Sequence, residues 1–183
     1  MSSRFTIVVF AGLPGTGKST IARELAAQIG APLFDKDRVR EALFGPKHVS
    51  YTRAQDDLCT RMCYDAIEHV AAASGARVAV LDGRTYTQRG QVAELVALAN
   101  LLGAAQVWIE CVASHEAVRE RLAQDALSGA HPARDRTFER YLELESAAEP
   151  LPGDALRIDT SRTPLPECLA LCRARITAGV KEG

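Results

Sequence analysis

The chain lacks the features that would tie it to a membrane or to a long polyanion. No run in its 183 residues approaches 18 uninterrupted apolar positions, so we expect no membrane span. Lysine and arginine number 22 and aspartate and glutamate 23, and the net charge of −1 does not favour nucleic acid or an acidic membrane surface. Aromatic residues are only 5% of the chain, which is few for stacking on nucleic-acid bases.

Signals for export, for disulfides and for zinc are also missing. An apolar strand pattern begins within about four residues of the N-terminus, so we expect no leader peptide and a cytoplasmic location. Five cysteines, an odd number, favour a reducing compartment. The pairs Cys59/Cys63 and Cys168/Cys172 are spaced to stack on one helix face. We interpret them as small packing residues and predict no zinc site.

What the sequence does contain is a phosphate-binding loop. Residues 12–19 match the pattern G-x-x-x-x-G-K-[ST], between a strand pattern at 4–11 and a helix pattern with Ile21, Leu25 and Ile29 on one face. In such a loop backbone N–H groups surround the phosphates, Lys18 reaches the β- and γ-phosphates, and Ser19 ligates Mg²⁺. The predicted nucleotide-binding residues are Gly12, Leu13, Pro14, Gly15, Thr16, Gly17, Lys18, Ser19 and Thr20.

Strand and helix patterns alternate along the rest of the chain and predict an α/β fold. Further strands are predicted at 32–35, 77–81, 107–112 and 156–159, and helices at 38–44, 52–73, 88–102, 114–122, 137–146 and 165–177. This alternation indicates a single domain over residues 1–183, a three-layer sandwich with a five-stranded parallel sheet. Within helix 52–73 we expect Leu58, Met62, Ile67 and Val70 near the buried side. A polar segment at about 123–137 is predicted to be a mobile lid.

Carboxylates follow two of the predicted strands. Asp35 and Asp37 come after the second strand and Asp82 after the third. Because ligands bind at the carboxyl ends of parallel strands, we expect these side chains to lie near the phosphate-binding loop. Asp82 is a candidate to ligate Mg²⁺ through water or to orient an acceptor, and Asp35 is expected to cap the following helix.

Other classes of nucleotide protein fit less well. A dinucleotide-binding fingerprint needs a third glycine where Thr20 stands, and it leaves Lys18 unexplained. The guanine-reading sequence Asn-Lys-x-Asp of GTPases does not occur, and a motor ATPase usually needs a longer chain. A small phosphotransferase remains.

Several of these segments together resemble a known group of proteins. Residues 12–20, Asp35-Lys-Asp-x-x-Arg40, Leu81-Asp-Gly83, Glu149-Pro150 and Ile158-Asp-Thr-Ser161 look like the polynucleotide kinase and zeta-toxin-like P-loop kinases. The resemblance runs over about residues 5–175 and is most specific in the first forty. It implies transfer of the ATP γ-phosphate, with Mg²⁺, to a hydroxyl of an antibiotic, nucleotide sugar, small metabolite or polynucleotide end.

The resemblance also implies roles for single residues. Asp37 matches the general base that accepts the proton of the acceptor hydroxyl. Arg40, one helical turn later, matches the arginine that holds the acceptor or the transferred phosphate. Four further residues are candidates for acceptor binding because they begin helix 52–73 or follow Asp82: Tyr51, Arg84, Tyr86 and Arg89.

The lid is where the sequence departs from this group. Related kinases place arginines about four residues apart on entering the lid, where they clamp the triphosphate. Arg121 matches the first of them, but Asp125 occupies the second position. Arg134 and Arg136 are candidates to supply the missing cation when the lid closes.

Three functions stay open at this point. The leading hypothesis is a kinase for a small hydroxylated acceptor. The second is a 5′-hydroxyl polynucleotide kinase, since residues 36–53 are locally basic; nucleic acid is possible but not favoured because no basic stripe extends beyond them. The third is a nucleotide-dependent switch, which needs no acceptor base and so leaves Asp37 and Arg40 unexplained.

Overall fold

The computed structural model describes residues 4–73, 75–128 and 137–181 and shows an alternating α/β chain. All five strands are parallel, in the order β2-β3-β1-β4-β5. The elements, in chain order, are β1 (Thr6–Ala11), α1 (Lys18–Ile29), β2 (Leu33–Asp35), α2 (Lys36–His48), α3 (Arg53–Ala73), β3 (Val78–Asp82), α4 (Arg89–Leu101), β4 (Ala105–Val112), α5 (His115–Ser128), α6 (Phe138–Ser146), β5 (Leu156–Asp159) and α7 (Leu165–Lys181).

The sheet is covered by helices on both faces, as the sequence predicts. Strand β1 lies in the middle and all six of its residues are buried, which accounts for its uninterrupted apolar run. Val8 and Phe10 face α1 and α7 in one core cluster. Ile7 and Val9 face α3 and α4 in the other. The three-layer sandwich with a five-stranded parallel sheet is therefore confirmed.

Parallel pairing brings the ends of three strands to one edge of the sheet. Asp35 at the end of β2 is the register partner of Asp82 at the end of β3, and β1 beside β3 leads into the phosphate-binding loop. The predicted convergence of loop and carboxylates at one edge is thus present.

The apolar face expected for α3 is partly wrong. Leu58 and Met62 are each 39% exposed, whereas the residues that follow them, Cys59 and Cys63, are buried; Ile67 is buried as expected. The helix carries apolar residues on two neighbouring faces, and packing against the sheet selects the one with the smaller side chains. The choice between the two faces depends on tertiary contacts that the helical period does not contain.

Three helices end later than expected, and one of them, α7, continues to Lys181 instead of residue 177. Helix α2 continues to His48 across a kink at Gly45, where φ is 59°, so the predicted stop at Gly45 is a bend. Helix α5 continues to Ser128, so the first part of the predicted lid at 123–137 is helical. Residues 129–136, which include Arg134 and Arg136, lie outside the described residues.

All five cysteines are buried with free thiols, which agrees with a packing role. Burial raises the pKa of Cys63 and of Cys172 to about 12, so neither is a reactive thiolate near neutral pH. Within the described part of the chain, no helix is long and apolar enough to span a bilayer.

Candidate active site

The phosphate-binding loop lies between β1 and α1, and its glycines have the backbone conformation the motif needs. Gly12 has φ of 136°, and any Cβ there would collide with the carbonyl oxygen of Cys111 in β4. The hydroxyl of Thr16 closes the loop by donating to the carbonyl of Leu13 at 2.8 Å. Lys18 is the first residue of α1 and is buried. The loop therefore presents a helix N-terminus and an ammonium group at one place, which is an anion site.

A cavity of about 510 Å³ opens beside the loop on the side of α1 and α7. Arg121 of α5 borders it and donates to the carbonyl of Gly15 at 3.2 Å and to the hydroxyl and carbonyl oxygens of Thr160 at 2.8 and 2.9 Å. The Thr160 hydroxyl in turn donates to the carbonyl of Thr16 at 2.8 Å. The loop, α5 and the segment after β5 are thus joined by hydrogen bonds, and Arg121 stands where the sequence predicts a nucleotide contact. Loop residues and neighbours that line this cavity, called the nucleotide pocket below, include Gly15, Gly17, Lys18, Ser19, Thr20 and Asp125.

Asp82 is the most deeply buried carboxylate at this edge of the sheet. Its side chain is 1% exposed, and neither carboxylate oxygen has a hydrogen-bond partner among the described residues. Burial, together with the negative charges of Asp82 and Asp37, raises the pKa of Asp35 above its ordinary value. Asp35 also caps α2 by accepting from the N–H groups of Asp37 and Arg38, so the predicted cap is confirmed. A buried, unpartnered carboxylate beside the loop is suited to a cation or to water bound by one.

A second cavity of about 350 Å³, the acceptor cleft, lies on the other side of Lys18. Its walls come from α2, α3, α4, α6, the loop after β3 and Pro14 of the phosphate-binding loop. Gly83, with φ of 93°, lets that loop approach α2, because a Cβ there would lie 2.8 Å from the backbone nitrogen of Lys36. Lys18 lines both the nucleotide pocket and the acceptor cleft, so the two cavities meet at the phosphate-binding lysine.

Four charged residues form a network on the α2 and α3 wall of the cleft: Lys36, Asp37, Arg40 and Asp56. Arg40 donates to Asp37 Oδ1 at 2.8 Å and to Asp56 Oδ1 at 2.6 Å. Lys36 Nζ binds Asp56 Oδ1 and lies 3.4 Å from Asp37 Oδ1. Tyr51 also lines the cleft, and the Arg40 guanidinium lies 5.4 Å from the centre of its ring. The sequence prediction brought Asp37, Arg40 and Tyr51 together correctly and missed Lys36 and Asp56.

Lys36 and Asp56 were missed for a physical reason. Lys36 sits between two aspartates in a run that reads as solvated charge, and Asp56 lies in the first turn of α3, where an acidic residue ordinarily interacts with the helix dipole. A usable signal was their position, because Lys36 begins a helix at the sheet edge and Asp56 begins a helix that faces it.

Arg84 lines the opposite wall, as predicted. It is buried, donates to Glu94 at 2.6 Å, and has its other terminal nitrogen 3.5 Å from Asp57 Oδ1. This wall therefore carries one guanidinium between two carboxylates.

Tyr86 and Arg89 are corrections to the predicted acceptor contacts. Tyr86 is 1% exposed, has φ of 56°, and packs edge-on against Trp108 at 5.1 Å between ring centres. Its positive φ turns the ring into the core, where burial raises its pKa well above the ordinary value. The Arg89 side chain is 81% exposed and pairs with Glu149 at 3.2 Å. Among the described residues, neither of the two lines the acceptor cleft.

Comparisons with known proteins show the family and the fold to which this chain belongs. A stretch of 34 residues is 53% identical to a shikimate kinase of Paracidovorax citrulli, and the match spans 19% of the chain and 19% of that relative. A candidate kinase of Chloroflexus aurantiacus superposes with a TM-score of 0.76 at 21% identity, covering 94% of this chain and 98% of that one. A gluconokinase of Sinorhizobium meliloti superposes with a TM-score of 0.67 at 18% identity, covering 100% and 97%.

These structural likenesses, at such low identity, show a shared fold. The family model described as an AAA domain matches residues 7–147, which is more than half of the chain and contains the phosphate-binding loop, α2 and Asp82. The chain therefore belongs to the AAA domain family and has the fold of P-loop kinases.

Proposed function

We propose that this protein is an ATP- and Mg²⁺-dependent kinase that transfers the γ-phosphate to a hydroxyl of a small molecule. The observation that carries the proposal is that Lys18 lines two cavities at once. A nucleotide in the pocket beside α1 and α7 would direct its terminal phosphate at Lys18. An acceptor in the cleft would approach the same phosphate from the opposite side, which is the in-line arrangement that phosphoryl transfer needs.

The residues present fit a magnesium ion bound with the nucleotide. Ser19 lines the nucleotide pocket directly after Lys18, and the buried oxygens of Asp82 have no other partner within the described structure. Mg²⁺ takes few protein ligands and completes its shell with phosphate oxygens and water, so these two residues would suffice. When bound, the ion would neutralise charge on the β- and γ-phosphates.

Asp37 and Arg40 provide the chemistry on the acceptor side. The acceptor hydroxyl would give its proton to the Asp37 carboxylate while its oxygen bonds to the γ-phosphorus. The bond from that phosphorus to the oxygen bridging to the β-phosphorus breaks, and ADP leaves. Arg40 would stabilise the charge on the equatorial oxygens of the transferred group. Arg121, and Arg134 and Arg136 from the predicted lid, are proposed to complete the clamp on the phosphates.

A small acceptor is favoured over a polynucleotide by the charge balance of the cleft. Residues 36–53 are basic in sequence, but two of their positive charges are neutralised at the cleft. Lys36 and Arg40 are paired there with Asp37 and Asp56. A strand of phosphates would meet little uncompensated positive charge on this wall. The shikimate kinase and the gluconokinase are named for small hydroxylated acceptors.

The test is transfer of label from γ-labelled ATP with Mg²⁺ to pools of hydroxylated metabolites, sugars, aminoglycosides, nucleosides and 5′-hydroxyl oligonucleotides. The Asp37→Asn variant, assayed in parallel, is expected to keep ATP affinity and to lose about 10²–10⁴-fold in turnover. Near-normal turnover in that variant would remove Asp37 as the base. Slow ATP hydrolysis that is equal in both proteins, without labelled product, would favour a nucleotide-dependent switch instead.

A further inference from the structure

Asp56 is the member of the charge network to which the proposed reaction gives no role. It lies in the first turn of α3, on the same wall of the cleft as Asp37 of α2. Asp56 Oδ1 accepts from Arg40 at 2.6 Å and from Lys36. Asp37 Oδ1 accepts from the other terminal nitrogen of Arg40 at 2.8 Å and lies 3.4 Å from Lys36 Nζ. Each of the two cations therefore contacts both carboxylates.

The contacts of Lys36 and Arg40 with both carboxylates are important because these two cations are buried. Lys36 is 7% and Arg40 3% exposed, and cations so far from solvent depend on nearby carboxylates for stabilisation. Although burial acts to raise it, the charges of Lys36 and Arg40 hold the pKa of Asp56 below its ordinary value. Asp56 is thus ionised near neutral pH and matches one of the two positive charges.

Without Asp56, both cations would turn to Asp37. Asp37 would then face both positive charges without a second carboxylate to share them, and this would make it a weaker base than it is beside Asp56. Its side chain could also turn from Arg40 toward Lys36, which would change its orientation in the cleft. The geometry therefore assigns to Asp56 a task that is separate from proton transfer.

We propose that Asp56 is a positioning residue, which holds Lys36 and Arg40 so that Asp37 keeps its orientation and its capacity to accept a proton. This inference rests on the proposed function, because Asp37 is the base there. Asp56 itself need not touch the reacting atoms.

The first test is kinetic and compares kcat per folded molecule, at a temperature where circular dichroism shows each variant to be folded. Asp56→Asn should lower kcat by about tenfold or more, within the range that a general base contributes, and leave ATP affinity unchanged. Adding Lys36→Met to that variant leaves Asp37 with Arg40 alone, so the double variant should turn over faster than Asp56→Asn. If Asp56 merely stabilised the fold, the two variants would have the same kcat per folded molecule, even though removing the unmatched buried cation also restores stability.

The second test needs no acceptor. Both terminal nitrogens of Arg40 are held, so rotation about its Nε–Cζ bond should be slow in nitrogen-15 NMR spectra of the side chain. Asp56→Asn should release one nitrogen and speed this rotation. Asp57→Asn is the matched control, because the neighbouring Asp57 pairs with Arg84 at 3.5 Å and with Arg53 at 3.7 Å. The Asp57→Asn variant should leave rotation about the Nε–Cζ bond of Arg40 slow.

The two tests separate this inference from the proposed function. The kinetic test uses whichever acceptor the label-transfer screen identifies. If the wild-type protein transfers no phosphate, the proposed function fails, and the NMR comparison still decides whether Asp56 holds Arg40. Rotation of Arg40 that is unchanged by Asp56→Asn, or a double variant no faster than Asp56→Asn, would overturn the inference.

Discussion

The nucleotide side and the acceptor side of this site are formed by different kinds of protein groups. The nucleotide side is mainly backbone: a loop of consecutive residues, a helix N-terminus and carbonyl groups tied to Arg121 and Thr160. The acceptor side is formed mainly by side chains from α2, α3, α4, α6 and the loop after β3, and most of the contacts described in it join opposite charges. In the proposed reaction the first region would bind phosphates, which all nucleotides share, whereas the second would have to match the acceptor.

The difference teaches where substitutions can change function. A backbone-built phosphate site allows few sequences, since its glycines and its lysine are fixed by geometry. A side-chain-built cleft can change its acceptor by exchanging one charged pair for another without disturbing the loop. Evolution of acceptor choice in this fold should therefore concentrate in α2, in the first turns of α3 and in the loop after Asp82.

The largest expected effect is a difference in ATP affinity between variants of two buried lysines, Lys18 and Lys36. Lys18→Ala should lower ATP affinity by about 10²–10³-fold, because it removes a buried cation from the phosphates. Lys36→Met, on the acceptor side, should change ATP affinity by less than about threefold. Titration with a fluorescent ATP analogue measures both. Equal losses in the two variants would show that the two regions are not separate.

An intermediate effect is expected from a pair of glycines with positive φ. Gly12→Ala should lower the free energy of unfolding by about 3 kcal/mol, because its Cβ would meet the carbonyl of Cys111. Gly30→Ala, at the C-terminal end of α1 with φ of 64° and open space around it, should lower it by about 1 kcal/mol. Urea unfolding monitored by circular dichroism gives both values. A milder loss at Gly12 than at Gly30 would contradict a loop fixed by its backbone.

The smallest effect concerns pH and the acceptor side. Because the pKa of folded Asp56 lies below its ordinary value, its contribution to stability is present above about pH 4 and is lost as the pH falls further. Asp56→Asn should therefore destabilise the protein by about 2 kcal/mol at pH 7 and by less at pH 3. Unfolding measured at both pH values checks this.

The matched comparison for that measurement is again Asp57→Asn. Its carboxylate is 35% exposed and its ion pairs are longer, so its loss at pH 7 should be smaller than that of Asp56→Asn. A loss from Asp56→Asn that stays constant from pH 7 to pH 3 would rule out the charge network as its source.

Much of the fold and the whole nucleotide loop could be predicted from the sequence, because their signals are local. The run in β1 and the helix face of α1 are periodic, and residues 12–19 are contiguous. In α3, Cys59 is buried and Leu58 is not, and this difference depends on packing, which the helical period does not predict. Tyr86 was misplaced because a single positive φ reverses the direction of one side chain in a loop.

On the acceptor side, only residues close to a recognised segment could be found. Asp37 and Arg40 follow a strand within a matching pattern, and Arg84 follows Asp82. Asp56 is joined to them only through space, across 16 residues from Arg40 and 20 from Lys36. A network of ion pairs between two helices leaves no spacing that one sequence reveals.

Asp82, whose two oxygens have no hydrogen-bond partner among the described residues, is a position where stability and the proposed function have different requirements. A carboxyl group that is buried without hydrogen bonds destabilises the nucleotide-free protein, typically by about 1–3 kcal/mol or more. An apolar side chain at position 82 would stabilise the empty protein and would remove the proposed magnesium ligand. Asp82 is therefore a position where selection for heat tolerance and selection for turnover would choose different residues.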